Sequence, residues 1–240
     1  MSDALVLLDE VHFAYPPHRT VLAGCSLRLA RSDRIGLIGS NGSGKTTLLK
    51  SIVGLVRPTA GRVEVFGQPR TRERDFQEVR GRVGFLFQDS DDQLFCPTVA
   101  EDVAFGPLNL GSSREQVAAI VARTLESLGL AGYEDRITYQ LSGGEKRLVA
   151  LAAVLAMQPE VLLLDEPTSG LDEEATQRVV SVLAGLPQAM LIVSHDRSVL
   201  QPIAANSLRL SAGRLQQVEE GPAEAEQIAW RQHQQVQPDS

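Results

Sequence analysis

An α/β protein built on a largely parallel sheet is the fold class this sequence predicts, on three observations. Short, continuously apolar segments such as Val161-Leu162-Leu163-Leu164 and Met190-Leu191-Ile192-Val193 read as strands buried on both faces. Helical periodicity alternates with them, over Gly144 to Met157 and Glu173 to Leu186. A glycine-rich loop stands between the short strand Ile35 to Ile38 and a helical stretch from Thr46 to Val53 that Gly54 closes.

From the N-terminus, Ala4 to Val11 and Val21 to Leu29 carry apolar alternation and β-branched residues on either side of the turn-rich Pro16-Pro17-His18-Arg19, and read as two antiparallel strands. Gly61 to Phe66 and Arg82 to Phe87 are further strand candidates. Arg114 to Leu128 has helical periodicity between Gly111 and Gly129, so a helical insert interrupts the sheet pattern. After the strand Met190 to Val193, Ala212-Gly213-Arg214 marks a hairpin. Glu219 to Ser240, rich in Gln, Glu and Ala with a lone Trp230, is expected to be a frayed helix or tail.

At about 150 residues per domain, a 240-residue chain holds one or two domains and can bury a sizeable core. With 43% hydrophobic and 22% charged residues, it is neither disordered, collagenous nor a disulfide scaffold. The 23 Lys and Arg against 30 Asp and Glu give a net charge of −7, which disfavours broad binding to nucleic acid or anionic membranes, so any anion site must be local. The longest apolar run, Leu148 to Met157, falls well short of the roughly 18 to 20 residues that span a bilayer. The acidic opening MSDALVLLDE does not match a secretory signal, and Cys25 and Cys96 match no metal spacing; a reducing cytosol is expected.

Gly39-Ser40-Asn41-Gly42-Ser43-Gly44-Lys45-Thr46 satisfies G-x-x-x-x-G-K-[ST] in the strand-loop-helix setting that such a loop requires. Its glycines let backbone N–H groups close around phosphate oxygens, the helix N-terminus adds positive potential, and Lys45 supplies a point charge for the β- and γ-phosphates. Thr46, with Thr47 beside it, is placed to ligate Mg²⁺. The strand Val161 to Leu164 ends in Asp165-Glu166, at the sheet edge where ligands of parallel sheets bind. Successive strand residues point oppositely, so Asp165 fits a Mg²⁺-linked carboxylate and Glu166 a general base that takes a proton from attacking water. Leu141-Ser142-Gly143-Gly144-Glu145 allows two readings: a capping box from Ser142 to Glu145, or a second phosphate site, because two glycines opening a helix point to a close approach to the backbone.

The phosphate loop, LSGGE, LLLDEPTSGLD and VSHD, in this order, resemble an ATP-binding-cassette (ABC) ATPase over roughly Leu5 to Leu215. The resemblance implies a P-loop NTPase fold with a RecA-like core, an antiparallel β subdomain and a helical subdomain. The cassette is expected over residues 1–218, with a helical subdomain at about 89–157 and a tail at 219–240. It further implies that Tyr15 stacks on adenine, with Phe13 as its rival, that Gln88 reaches Mg²⁺ and the attacking water, and that His195 contacts the γ-phosphate. Ser169-Gly170-Leu171-Asp172 matches the loop that communicates across a dimer. Such cassettes pair head to tail, so Ser142, Gly143 and Gly144 of one chain are expected to complete the ATP site of a second.

Asp91 to Pro107, followed by Leu108-Asn109-Leu110, is similar to ATPase subunits of energy-coupling-factor importers for cobalt, nickel and related micronutrients. This implies a peripheral place at the cytoplasmic face of the membrane, with integral membrane subunits, a transmembrane coupling subunit among them, as partners. The region from Gln88 to Pro107 is expected to rim a groove for a helix of that partner, with Leu94 and Phe95 as apolar anchors. Two other functions fit parts of the pattern. A P-loop kinase for small molecules leaves Ser142-Gly143-Gly144 and His195 without a role, and a non-transport regulatory cassette is disfavoured by the intact Lys45, Glu166 and His195.

Overall fold

In a computed structural model that describes residues 4–17 and 19–218, the chain folds around two sheets. The tail expected over 219–240 lies outside the described residues. Strands β1 (Ala4–Tyr15) and β2 (Arg19–Ala30) form the expected antiparallel hairpin; β3 (Arg34–Ile38) then leads through the glycine loop into helix α1 (Lys45–Ile52). Strands β4 (Ala60–Val65) and β5 (Gln68–Pro69) complete a four-stranded antiparallel sheet in the order β2-β1-β4-β5. Helix α2 (Gln77–Arg82) runs into β6 (Val83–Leu86). Three helices follow, α3 (Val99–Asn109), α4 (Arg114–Ser127) and α5 (Gly143–Ala156), before the chain returns to the sheet as β7 (Val161–Asp165). Helix α6 (Glu173–Gly185), β8 (Ala189–Val193), the short α7 (Arg197–Leu200) and the hairpin of β9 (Asn206–Ser211) and β10 (Arg214–Gln217) end the described chain.

The second sheet has the order β10-β9-β3-β8-β7-β6, parallel throughout except for β10. Its strands β3, β8, β7 and β6 are buried on both faces, and the period of two along them divides the core. Val161 and Leu163 of β7, with Ala189, Leu191 and Val193 of β8, face a core shared with the antiparallel sheet and with Leu48, Leu49 and Ile52 of α1. Leu162 and Leu164, with Met190 and Ile192, face a second core that packs α3, α4, α5 and α6. Each buried Val, Leu, Ile or Met among them contributes about 1.5–3 kcal/mol relative to exposure. Asp165 continues the Val161 and Leu163 row, so the alternation turns its carboxylate toward the face that α1 covers.

Helix α3 is an element that the sequence reading did not assign. Its start is a capping box in which Thr98 Oγ1 accepts from the N–H of Glu101 and Glu101 Oε2 accepts from the N–H and hydroxyl of Thr98. Gly106 and Pro107 in its last turn hide that signal. Helix α5 opens on the same device: Ser142 Oγ accepts from the N–H of Glu145, and Glu145 Oε2 from the N–H of Ser142.

Candidate functional site

Strands β3, β8, β7 and β6 lie side by side and run in one direction, so their C-terminal ends form one edge. The glycine loop leaves β3, Ser194 and His195 follow β8, Glu166 follows β7, and Gln88 stands two residues past β6. Residues more than 150 positions apart are therefore gathered by sheet topology alone, where a parallel sheet presents ligand sites. There they surround a cavity of about 450 Å³, lined by Asn41 to Thr47 and by Gln88, Asp165, Glu166 and His195, with Tyr15 on its rim.

Within the loop, Gly44 has φ 107, and a Cβ there would lie 2.5 Å from Val21 Cγ1, so only glycine fits. Lys45 is buried and its Nζ donates to the carbonyls of Gly39 at 2.8 Å and Ser40 at 3.1 Å, leaving one ammonium hydrogen toward the cavity. Burial pushes its pKa down, while Glu166 and Asp165 oppose that shift. Ser43 Oγ is buried with no partner among the described residues, as a hydroxyl awaiting a polar ligand would be.

Thr46 Oγ1 donates to Asp165 Oδ2 at 2.6 Å. Burial pushes the Asp165 carboxyl above its usual range, offset by that hydrogen bond and by Arg147 and Lys45. Glu166 adopts φ 53, a left-handed conformation that a residue with a Cβ holds only under constraint. Its N–H donates to Val193 O at 3.0 Å and its carbonyl accepts from Arg147 Nη2 at 2.6 Å, pinning the backbone from both sides. Its pKa is also raised, first by burial, with His195 opposing.

Tyr15 rather than Phe13 faces the cavity. Its hydroxyl lies 3.3 Å from Thr47 Oγ1, while Phe13 packs on the core and meets the Tyr15 ring edge to face at 4.8 Å. Ser142, Gly144 and Asp172 do not line this cavity in the single chain. Asp172 caps α6, its Oδ1 accepting from the N–H of Ala175 at 2.8 Å. The two glycines that open α5 differ: a Cβ on Gly144 would lie 3.2 Å from the carbonyl of Gly170, whereas Gly143 has nothing within 4 Å. The close approach expected at Gly144 is thus made by the chain's own Gly170, and Gly143 alone is open to an incoming group.

The ABC transporter profile matches residues 22–169. This chain belongs to the ABC transporter family. It is 41% identical over 215 residues to the energy-coupling factor transporter ATP-binding protein EcfA of Methanothermobacter thermautotrophicus, covering 88% of this chain and 69% of that protein. EcfA of Methanocaldococcus jannaschii is 41% identical over 208 residues, covering 85% of this chain and 74% of that one. Among solved structures, cbiO1 from Clostridium perfringens, part of the ABC transporter complex cbiONQ, superposes with TM-score 0.83 at 30% identity, covering 99% of this chain and 97% of its own. A bacterial ABC transporter cassette solved as a dimer gives 0.82 at 25% identity, covering 88% and 96%. The protein is accordingly an ATP-binding cassette and an ATPase with the ABC fold.

Two residues of this cassette were not singled out in its sequence. Arg147 is 2% exposed, and its guanidinium donates to the carbonyls of Phe87, Gln88, Asp165 and Glu166. Burial pushes its pKa down to about 10, so it stays charged at neutral pH. Arg19, in the β1–β2 hairpin, also lines the cavity, with Nη2 3.4 Å from where a Cβ of Gly42 would stand. Neither has a signal in the sequence, since the partners of Arg147 are main-chain carbonyls distant along the chain and Arg19 reads as a turn residue. The two expected anchors, Leu94 and Phe95, differ in their surroundings. Leu94 packs against the helical core, while Phe95 is 66% exposed and meets the exposed Phe105 edge to face at 4.8 Å. Among the described residues no helix is long and apolar enough to cross a membrane.

Proposed function

We propose that this cassette is the ATP-hydrolysing subunit of an energy-coupling-factor type importer and drives uptake of cobalt, nickel or a related micronutrient through membrane subunits. The observation that carries the hydrolytic reading is the convergence of Lys45, Thr46, Asp165, Glu166, Gln88 and His195 on one cavity at the ends of four adjacent strands.

The residues present fit Mg²⁺-ATP. The Gly39 to Thr46 backbone and the Lys45 ammonium suit the phosphates, the unpartnered Ser43 hydroxyl can donate to a phosphate oxygen, and Tyr15 offers a ring for adenine. Thr46, Asp165 and Gln88 supply hard oxygen donors, short of a full protein cage, which suits a Mg²⁺ that keeps waters and substrate oxygens in its shell. The ion, when bound, supplies charge neutralisation at the phosphates. Glu166 accepts the proton of the attacking water, its carboxylate oxygen buried and free for that bond. His195 and Gln88 also line the cavity, and the buried Arg147 holds the loops that carry Gln88 and Glu166.

A head-to-tail pair of chains, most simply two copies, is the working unit in this reading. The open Gly143 and the capped Ser142 at the start of α5 are presented to the other chain's ATP. The dimeric relative supports this. The exposed apolar series Phe95, Phe105, Leu108 and Leu110 suits a helix of a transmembrane coupling subunit, and in this reading the chain works at the cytoplasmic face of the membrane. The identity of the cargo rests on the resemblance of Asp91 to Pro107 alone. Purified protein given Mg²⁺-ATP should release ADP and inorganic phosphate in equal amounts with no phosphorylated acceptor; formation of such an acceptor sinks this reading in favour of a kinase. Reconstitution with candidate membrane subunits and radioactive cobalt or nickel tests the cargo.

A further inference from the structure

We infer that Arg147 is a positioning residue for hydrolysis: its buried guanidinium sets the main chain at Gln88 and at Glu166 and ties both to the helix that begins at Gly143. The inference rests on the reading of Gln88 and Glu166 as hydrolytic groups.

Gln88 and Glu166 lie on separate loops, after strands β6 and β7. Arg147 lies on neither, but on the second turn of α5, and reaches both. Nη1 donates to the carbonyls of Phe87 and Gln88, Nη2 to those of Asp165 and Glu166. Four acceptors match the four Nη hydrogens. A planar fork with fixed spacing can hold two loops at a set separation, which a single ammonium on a flexible stem cannot.

Two further contacts bind α5 to the loop of Gln88. Gln93 Nε2 donates to Ala150 O at 3.1 Å while its Oε1 accepts from the N–H of Phe87 at 3.2 Å, and Lys146 Nζ pairs with Asp91 at 2.6 Å. Among the described residues, Arg147 is the α5 side chain that extends the hydrogen-bonded tie to Glu166. The arrangement is a poor one for stability alone. The guanidinium is buried, its Nε has no hydrogen-bond partner among the described residues, and an apolar side chain of similar volume often serves a core as well as a buried charge, even one with the Asp165 and Glu166 carboxylates near it. What it accomplishes instead is geometric. The Glu166 carbonyl it holds belongs to the residue in the strained left-handed conformation at φ 53, which requires constraint from outside its own loop. The same α5 begins one turn earlier at Ser142 and Gly143, so a displacement of that helix end is transmitted through one rigid side chain to the base and to the Gln88 loop of the same chain.

The test uses the full chain and compares Arg147→Lys, Arg147→Ala and the control Glu166→Gln for ATP affinity by calorimetry, for kcat by phosphate release and for melting temperature. Arg147→Lys should bind ATP within about twofold of the unmodified protein yet lose about 10- to 100-fold in kcat, the scale expected when reacting groups shift by an ångström. Arg147→Ala should lose at least as much, and added guanidinium, but not sodium at the same ionic strength, should restore part of its kcat. Unchanged kcat in Arg147→Lys, parallel losses of affinity, melting temperature and kcat, absence of guanidinium rescue, or failure of both variants to fold each overturns the proposal. If Glu166→Gln hydrolyses ATP at the unmodified rate, the reading of the hydrolytic site itself fails. If it does not but Arg147→Lys turns over normally, only the positioning inference is lost.

Discussion

His195 Nε2 lies 3.4 Å from Glu166 Oε1, a buried oxygen without a hydrogen-bond partner among the described residues. The two side chains are close but not aligned as a hydrogen bond, so the carboxylate keeps a lone pair for another donor. Burial raises the Glu166 pKa and His195 only partly offsets it. In the free enzyme the base should therefore protonate above the ordinary glutamate value of about 4.3. As the proposed base, Glu166 must be ionised to act, so kcat/KM should rise with pH through that elevated value and fall below it, and the acid limb should vanish from the residual activity of Glu166→Gln. A pH profile with its acid limb at or below the ordinary glutamate value counts against the burial argument.

The same shift carries a stability consequence. A carboxyl whose folded pKa is raised binds its proton more tightly in the folded state, so its stabilising contribution is present at low pH and is lost as pH rises through the folded value. At neutral pH the ionised Glu166 is a cost. Glu166→Gln should melt about 1–4 °C higher than the unmodified protein without nucleotide, while kcat drops by about 100-fold or more with ATP affinity retained. Calorimetric melting at pH 7 and pH 5 checks the sign: the gap between the two proteins should narrow at the lower pH.

Thr46 and Asp165 meet at 2.6 Å because Thr46 lies in the first turn of α1 and β7 turns its last side chain to the face that α1 covers. Asp165→Asn keeps an acceptor for the Thr46 hydroxyl but removes the charge. The Mg²⁺ concentration for half-maximal hydrolysis should rise about 10- to 100-fold, the range seen when the partners of metal ligands are altered. Binding of metal-free ATP should persist. An unchanged Mg²⁺ titration would remove Asp165 from the metal site.

What was legible in the sequence was local. The glycine loop, the apolar strands ending in Asp165-Glu166 and the Ser142 to Glu145 capping box each lie within a dozen consecutive residues, and backbone geometry follows from such neighbourhoods. Gln88 and His195 carry weak local signals and became candidates through family resemblance. The topology then supplied what resemblance alone could not, by setting β6 and β8 on either side of β7. Arg147 escaped because main-chain carbonyls have no identity in a sequence. Leu94 and Phe95 show the other limit: they are consecutive and both apolar, and which one packs inward depends on where α3 and α5 lie.

Shared sites can be tested by mixing. In Ser142→Arg the start of α5 loses a cap of about 1 kcal/mol, which its buried helix should survive, and the open space at Gly143 is filled. Lys45→Ala weakens nucleotide binding at the loop. Neither variant alone can form an intact composite site, but a head-to-tail mixed dimer has one site with both motifs unmodified and one with both altered. An equal mixture with independent sites should regain about one quarter of the unmodified activity, since half its dimers are mixed. If chain exchange is verified and no ratio restores hydrolysis, the composite site is wrong.

Coupling to a membrane partner is expected to run through Phe95 and Phe105, not through Leu94. Phe95 lies seven residues past Gln88, and its N–H donates to Asp102 Oδ1, as does that of Cys96. Asp102 is a buried carboxylate of α3 whose other oxygen accepts from Thr138 Oγ1 at 3.0 Å. The loop is thus fixed to α3 at its base while the Phe95 and Phe105 rings remain in water as an edge-to-face pair. Exposed aromatic pairs on a rigid support are what an apolar helix face can use as anchors. Phe95→Glu with Phe105→Glu should leave the fold and basal ATP hydrolysis of the isolated protein within about twofold, because neither ring is buried in a core, and should abolish co-purification with the membrane subunits. Leu94→Glu should instead lower the melting temperature, since that side chain packs on the helical core. Normal assembly and transport by the double phenylalanine variant, at unmodified stability, would show that the partner binds elsewhere.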